Sequence, residues 1–198
     1  MKLPEVEGFI LAGGLSRRMG SPKGLLRIEG ETILARVARA VGDVVERLSI
    51  VTDREQEVTF LGMPVVPDTV KNSGPLGGLH AAFCAATSGP LFVISCDLPF
   101  VSSHLIHSLW SMHGQAPATV PSVGGRVQPL CGFYERSLLR EAEIRLRSAE
   151  LAMRPFLAAI WAQIVALSSL PDPFPDWHLL NVNTPEDLAA ALAAVGGS

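Results

Sequence analysis

Charge is scarce in this chain of 198 residues: Asp, Glu, Lys and Arg make up 18%, against 48% hydrophobic residues. Disorder is thereby excluded as the main state, since disordered chains are rich in charge and poor in apolar residues. There is no positive excess either. A formal net charge of −3 and a pI near 5.9 argue against a protein that coats nucleic acid, which would be basic. Cysteine is limited to Cys84, Cys96 and Cys131, far apart and odd in number, which argues against a disulfide framework or a Cys-rich zinc site and fits a reducing compartment. The start, MKLPEVEGFILAGG, has one Lys, then acidic residues, then an apolar run too short for an export signal. Residues 72–96 lack Asp, Glu, Lys and Arg, yet Gly74, Pro75, Gly77, Gly78, Gly89 and Pro90 cut the stretch. It reads as a buried helix followed by a buried strand rather than a membrane span. The expectation is a soluble, cytoplasmic protein without a nucleic-acid or membrane partner. With no repeat, low-complexity tract or long linker, residues 1–198 are expected to form a single domain.

What the chain does have is a rhythm of strand, glycine turn and helix. Val6–Leu11 is an apolar run ending in Gly13-Gly14, which suits a buried strand entering a tight turn. Thr32–Leu48 carries Ile33, Leu34, Val37, Val41, Val44, Val45 and Leu48 at the spacing of an amphipathic helix. Leu48–Val51 and Pro64–Pro67 read as short strands, and Leu76–Ala86 as a closely packed helix. Leu91–Ser95 (LFVIS), between Pro90 and Asp97, has the continuous apolar character of a central strand. A helix near Ser103–Met112, strands at Ala118–Val120 and Val127–Tyr134, helices over Ser137–Arg147 and part of 150–161, and a strand at Gln163–Leu167 follow. The last helix starts with Thr184 as N-cap, Pro185 at the first position, and Glu186 and Asp187 at the positive end of the dipole. Alternation of this kind predicts an α/β fold of three layers, a mostly parallel sheet with helices on both faces. Ligands in such folds bind at the C-terminal ends of the strands.

Two features at those ends carry chemistry. Leu11-Ala12-Gly13-Gly14-Leu15-Ser16-Arg17-Arg18-Met19-Gly20-Ser21-Pro22-Lys23 joins glycines, whose N–H groups can turn inward on an anion, to three cations. A triphosphate needs both donors and mobile positive charge. The loop matches neither the Walker pattern nor GxGxxG, which speaks against an NAD-dependent oxidoreductase. Its other reading is a solvated connection with surface arginines. Asp97 is the only Asp, Glu, Lys or Arg between Lys71 and Arg126 and directly follows LFVIS. A lone carboxylate there is costly unless it is paired or binds a metal. Mg²⁺ uses one or two carboxylates and completes its shell with water and phosphate oxygens. Capping of the Leu98-Pro99 turn or of the next helix is the competing role.

Position alone leaves the remaining candidates open. Asp68 is either a turn residue or a partner for a ribose hydroxyl, a base edge or a metal. Gly74–Gly78 serves either close approach to a base or tight helix–strand packing. Asn181 and Asn183 either stabilise their loop or meet a ligand. His104 and His107 lie three apart without an evident third metal ligand. Cys96 has no obvious base beside it in the sequence, so a buried structural thiol is expected; Ser16 lacks the G-x-S-x-G context, and Glu141–Arg147 reads as a solvated helix face.

LAGGLSRRMGSPKG, the Asp68 strand end, GPLGGL (Gly74–Leu79), SCDLPF (Ser95–Phe100), QPLCGFY (Gln128–Tyr134) and NVNTPEDL (Asn181–Leu188) occur in one order. Together they resemble the molybdenum cofactor guanylyltransferase family, a branch of the Rossmann-like nucleotidyltransferases, from Gly8 to Leu188. The glycine-rich loop and CDxP are shared by the wider superfamily; QPLCGFY and NVNTPEDL are more particular to this branch. The resemblance implies GMP transfer from GTP, with Mg²⁺, to molybdenum-loaded molybdopterin, and molybdoenzymes or their chaperones as later partners. It implies that Leu11, Ala12, Gly13, Gly14 and Lys23 hold phosphates, that Arg17 and Arg18 balance developing charge, and that Asp97 binds Mg²⁺. It places Asp68, Gly78 and the region around Thr52–Asp53 near the nucleoside. Gln128, Asn181 and Asn183 fall on the pterin side or beside the metal.

This chain departs from the family in two places. Pro22 stands where many members have Asp before the lysine, and Val51-Thr52-Asp53 where some have asparagine. A cytidylyltransferase of the same cofactor would share almost every motif. A sugar- or alcohol-phosphate nucleotidyltransferase comes next, and a non-catalytic nucleotide-binding adaptor is the reading from another class.

Overall fold

The computed structural model describes residues 1–13, 24, 26–87 and 89–196. Strand β1 (Glu7–Leu11) is buried at every position. Its side chains alternate between two cores: Ile10 packs into one, Phe9 and Leu11 into the other. Glu7 is tolerated there because its Oε1 accepts from the Thr87 N–H (2.7 Å) and hydroxyl (2.9 Å) and pairs with Arg47 at 3.2 Å.

A small hairpin of β2 (Arg27–Ile28) and β3 (Glu31–Thr32) leads into α1 (Ile33–Gly42), where Thr32 accepts from the Ala35 N–H at 3.2 Å as N-cap. The helix expected over 32–48 therefore stops early. The chain turns at Asp43–Val44, Val44 and Val45 are buried there, and Leu48 lies in β4 (Arg47–Val51). A Cβ on Gly8 would meet Val45 Cγ2 at 2.8 Å and Leu48 Cδ1 at 2.9 Å, so the bare backbone of β1 makes room for this turn.

Next come β5 (Val65–Val66), α2 (Gly74–Ala85), β6 (Pro90–Ser95), α3 (Ser103–Ser111), β7 (Ala118–Val123), β8 (Arg126–Val127) and β9 (Cys131–Glu135). The chain closes with α4 (Leu139–Arg147), α5 (Met153–Ala159), β10 (Gln163–Ala166) and α6 (Pro185–Gly196). Val127–Tyr134, expected as one strand, is split. The interruption is at Pro129, which has no N–H to give; Gln128 N–H still donates to Pro121 O and Leu130 O accepts from the Ser95 N–H, both at 2.9 Å, and β9 begins at Cys131. Residues 72–96 are the buried helix α2 and buried strand β6. No helix among the described residues is long and apolar enough to cross a membrane.

The sheet runs β10-β7-β9-β6-β1-β4-β5, with β8 paired to β7. Its pairs β6/β1, β1/β4, β4/β5 and β10/β7 are parallel, and β9 runs antiparallel between β6 and β7. One core lies between the sheet and α1, α3 and α6; the other lies under α2, α4 and α5. This is the expected three-layer α/β architecture. The chain passes from β1 to β4 and β5 on one side and returns to β6 on the other. Carboxyl ends of the parallel strands thus gather at a topological switch point, where such sheets bind ligands.

Candidate active site

Two clefts open at this switch point. The first, of about 480 Å³, is framed by the strand ends Leu11–Gly13, Val51–Arg54 and Asp68 and by Gly78 on the first turns of α2. The second, of about 370 Å³, holds Asp97, Gln128 and Asn181 against Leu151, Ala152 and Met153. Pro75, Ser95 and Leu130 line both, so the clefts share a wall. Each is within the size range of small-molecule sites.

The first cleft is built by ladder bonds continuing past the strands. Ala12 N–H donates to Val51 O (2.9 Å), Thr52 N–H to Val66 O (2.9 Å) and Cys96 N–H to Leu11 O (3.2 Å). Because the Ala12 N–H is committed, donors toward an anion begin at Gly13. Asp53 Oδ1 accepts from the Asp68 N–H at 3.0 Å, and Asp68 Oδ1 from the Val70 N–H at 3.2 Å, which sets two carboxylates side by side. Burial pushes the Asp68 carboxyl above the usual carboxylate range; the Val70 N–H bond opposes this, and the Asp53 charge adds to it. Gly78 serves packing and site alike: a Cβ there would press on Leu11 Cδ1 at 3.2 Å, and its backbone lines the cleft.

Asp97 is half-buried, and its Oδ1 is shut off from solvent with no hydrogen-bond partner among the described residues. Its expected competing role is not used on the helix, because Ser102 caps α3, accepting from the Leu105 N–H at 3.1 Å. A carboxylate that lines a cleft and keeps one oxygen unpartnered suits a hard cation. Among the described residues no group of three or more His, Cys, Asp or Glu is placed to hold a metal, so the cation would complete its shell with water and phosphate.

Gln128 Nε2 donates to Asn181 Oδ1 at 3.1 Å and to Leu179 O at 3.2 Å, bringing the QPL and NVN segments together beside Asp97. Asn183 lines neither cleft; its N–H donates to Asp187 Oδ2 at 2.9 Å within the cap of α6. His104 Nε2 meets Asp172 Oδ2 at 3.0 Å on the surface, and Cys96 is buried. Gly14, Arg17, Arg18 and Lys23 lie outside the described residues. Motif reading missed Arg54, Asn72 and Ser95 in the first cleft and Leu151–Met153 in the second. Only the proximity of Arg54 to Asp53 and of Ser95 to Asp97 signalled any of these; the apolar wall from α5 has no signature.

A glycine turn at the end of β1, a nucleotide-sized cleft over the parallel strands, and a carboxylate lining an adjoining cleft define a Rossmann-like nucleotidyltransferase. Residues 8–164 match the MobA-like NTP transferase domain, and the chain belongs to that family. It is 35% identical to the molybdenum cofactor guanylyltransferase of Cereibacter sphaeroides over 93% of this chain and 94% of that protein. Identity to the molybdenum cofactor guanylyltransferase of Pseudomonas paraeruginosa is 33%, over 94% of each. In structure it is similar to molybdopterin-guanine dinucleotide biosynthesis protein A of Archaeoglobus fulgidus, with a TM-score of 0.80 and 22% identity over 97% of this chain and 100% of that one.

Proposed function

We propose that this protein transfers GMP from GTP to molybdenum-loaded molybdopterin, giving the molybdopterin guanine dinucleotide cofactor and pyrophosphate. An oxygen of the pterin's terminal phosphate bonds to the α-phosphorus of GTP as the bond from that phosphorus to the bridging oxygen of pyrophosphate breaks. Neither oxidant nor covalent enzyme intermediate is needed. The observation that carries the reading is the shared wall of Pro75, Ser95 and Leu130, which sets a nucleotide-sized cleft directly beside a second cleft holding Asp97. An in-line displacement needs its two substrates held so.

In this reading Asp53 and Asp68, both acceptors, face the donor-rich nucleoside, its ribose hydroxyls and base edge. Gly13 faces the phosphates, and the family resemblance assigns Gly14 and Lys23 to phosphate binding and Arg17 and Arg18 to balancing charge. Gln128 and Asn181 face the acceptor, flanked by the apolar Leu151–Met153. Asp97 would hold Mg²⁺, which when bound neutralises phosphate oxygens and favours the departing pyrophosphate. Residues 1–198 act as one catalytic domain in the cytoplasm, and the product passes to molybdoenzymes or their chaperones.

The test is turnover of purified protein with molybdenum-loaded molybdopterin, Mg²⁺ and each nucleoside triphosphate in turn, following pyrophosphate and dinucleotide. Turnover with GTP alone is expected. Preference for CTP would move the protein to the cytidylyl branch, and no turnover with any nucleotide would remove the acceptor assignment.

A further inference from the structure

Between Leu170 and Thr184 the chain has one short turn, Asp176–Leu179, and no strand. Individual contacts rather than a strand ladder therefore fix where this strap lies. Two sets of hydrogen bonds leave it for the second cleft. Val182 N–H donates to the carbonyl oxygen of Asp97 at 2.8 Å. Leu179 O and Asn181 Oδ1 both accept from the Gln128 amide, at 3.2 and 3.1 Å. Placement of both Asp97 and Gln128 thus depends on residues 179–182.

Just before them stands Trp177. Its indole stacks on His178 with centroids 3.8 Å apart and meets Phe100 edge-on at 6.2 Å. Phe100 follows Asp97 by three residues, so one ring touches the segment on each side of the Val182–Asp97 bond. Nε1 of Trp177 is shut off from solvent and has no hydrogen-bond partner among the described residues. An unpaired buried N–H is unfavourable, so the ring's faces and edges, not its polar atom, are what this place uses.

We infer that Trp177 is a positioning residue for the transfer step. By packing on Phe100 it sets residues 179–182 and through them Asp97 and Gln128. The inference rests on the functional reading above, in which the second cleft receives the acceptor. It predicts a split effect, because no residue of the strap lines the nucleotide cleft. Loss of the ring disturbs acceptor use and leaves nucleotide binding alone. A residue serving stability only would lower the melting temperature without separating the two.

The experiment compares Trp177→Ala, Trp177→Phe and Trp177→Leu in the full chain. Calorimetry gives the Kd of GTP in EDTA, where Asp97 and its metal play no part. Steady-state rates at saturating GTP and Mg²⁺ give kcat and KM for molybdenum-loaded molybdopterin. In Trp177→Ala the Kd of GTP is unchanged and kcat/KM for the acceptor falls about ten- to a hundredfold, the usual result of a small misplacement. Trp177→Phe restores most of the loss, since a phenyl ring keeps the Phe100 contact without an orphan N–H. If Trp177→Ala does not fold, Trp177→Leu, which keeps bulk but no ring, takes its place. The inference is overturned if the ringless variant uses the acceptor as well as the unaltered chain, or if nucleotide and acceptor suffer equally. It is also overturned if Phe is no better than Leu. An unaltered chain that transfers nothing defeats the functional reading, and this inference falls with it; an active chain with indifferent variants defeats the inference alone.

Discussion

At the scale of single residues, the two strand-end carboxylates Asp97 and Asp68 differ in kind. Asp97 keeps an oxygen with neither water nor a donor, an arrangement that costs stability unless a cation supplies the missing partner. Asp97→Ala removes that oxygen. Its melting temperature without ligand should equal or exceed that of the unaltered chain, while pyrophosphate release drops by about a hundredfold or more. Calorimetry beside a pyrophosphate assay checks both, and release at the normal rate would take the metal away from Asp97. Asp68 is hydrogen-bonded but raised by burial and by Asp53. The folded state then holds a proton that the unfolded state releases, so stability falls as pH rises from the ordinary carboxyl value of 3.8 through the raised folded value. Asp68→Asn keeps the oxygen that accepts from Val70 and removes the charge. At pH 7 the free protein should melt higher by about 1–2 °C, with the gain shrinking towards pH 4, and GTP should bind more weakly. Melting curves across pH and a GTP titration test this; an unchanged GTP affinity would remove Asp68 from the nucleoside site.

Elements show what periodicity can and cannot say. The apolar spacing of Thr32–Leu48 continues past the real end of α1 because Val44 and Val45 are core residues of a turn, 0% and 1% exposed, and a pattern of burial does not distinguish a helix from a loop pressed on the same core. β6 was legible from its unbroken apolar run, and α6 from its cap: Thr184 Oγ1 accepts from the Asp187 N–H at 3.0 Å, and Asp187 Oδ2 from the Thr184 N–H at 3.0 Å. The antiparallel insertion of β9 was not legible, since pairing is decided by distant chain. Motif reading likewise found Asp97, Gln128 and Asn181, which meet at one cleft, but could not separate Asn183, whose N–H caps a helix two residues further on. The C-terminus of α5 carries a local departure that sequence alone hides. Trp161 sits at φ +55° and 86% exposed, where Ala162 N–H reaches back to Leu157 O at 3.0 Å and Trp161 N–H to Ala158 O at 3.2 Å. Glycine normally occupies that position. Trp161→Gly should stabilise the protein by about 0.5–1 kcal/mol, the relief of left-handed strain less the added freedom of the unfolded chain. Urea unfolding measures it; a loss of stability would mean that the exposed indole makes a contact worth more than the strain.

Taken whole, the molecule divides its labour along the chain. The nucleotide cleft is formed by residues before Asp97 together with Leu130, whereas the second cleft, which holds Asp97, draws mainly on residues after it, and the two meet at Pro75, Ser95 and Leu130. Binding at the first cleft should therefore be separable from metal binding beside it. A ligand that binds only the folded state stabilises it by RT ln(1 + [L]/Kd), about 2.7 kcal/mol at a hundred times Kd, and in a chain of this size each kcal/mol is about 2–4 °C. GTP in EDTA should raise the melting temperature of the unaltered chain, and Mg²⁺ should add a second increment. Asp97→Ala should keep the first and lose the second, while Asp68→Asn should lose most of the first. Because the net charge is −3 and the nucleotide is an anion, the first increment depends on local cations and should shrink with added salt. Four melting curves per variant decide the matter. If Asp97→Ala abolishes the GTP increment as well, the two clefts are one coupled site, and the carboxylate belongs to nucleotide binding rather than to the step that follows it.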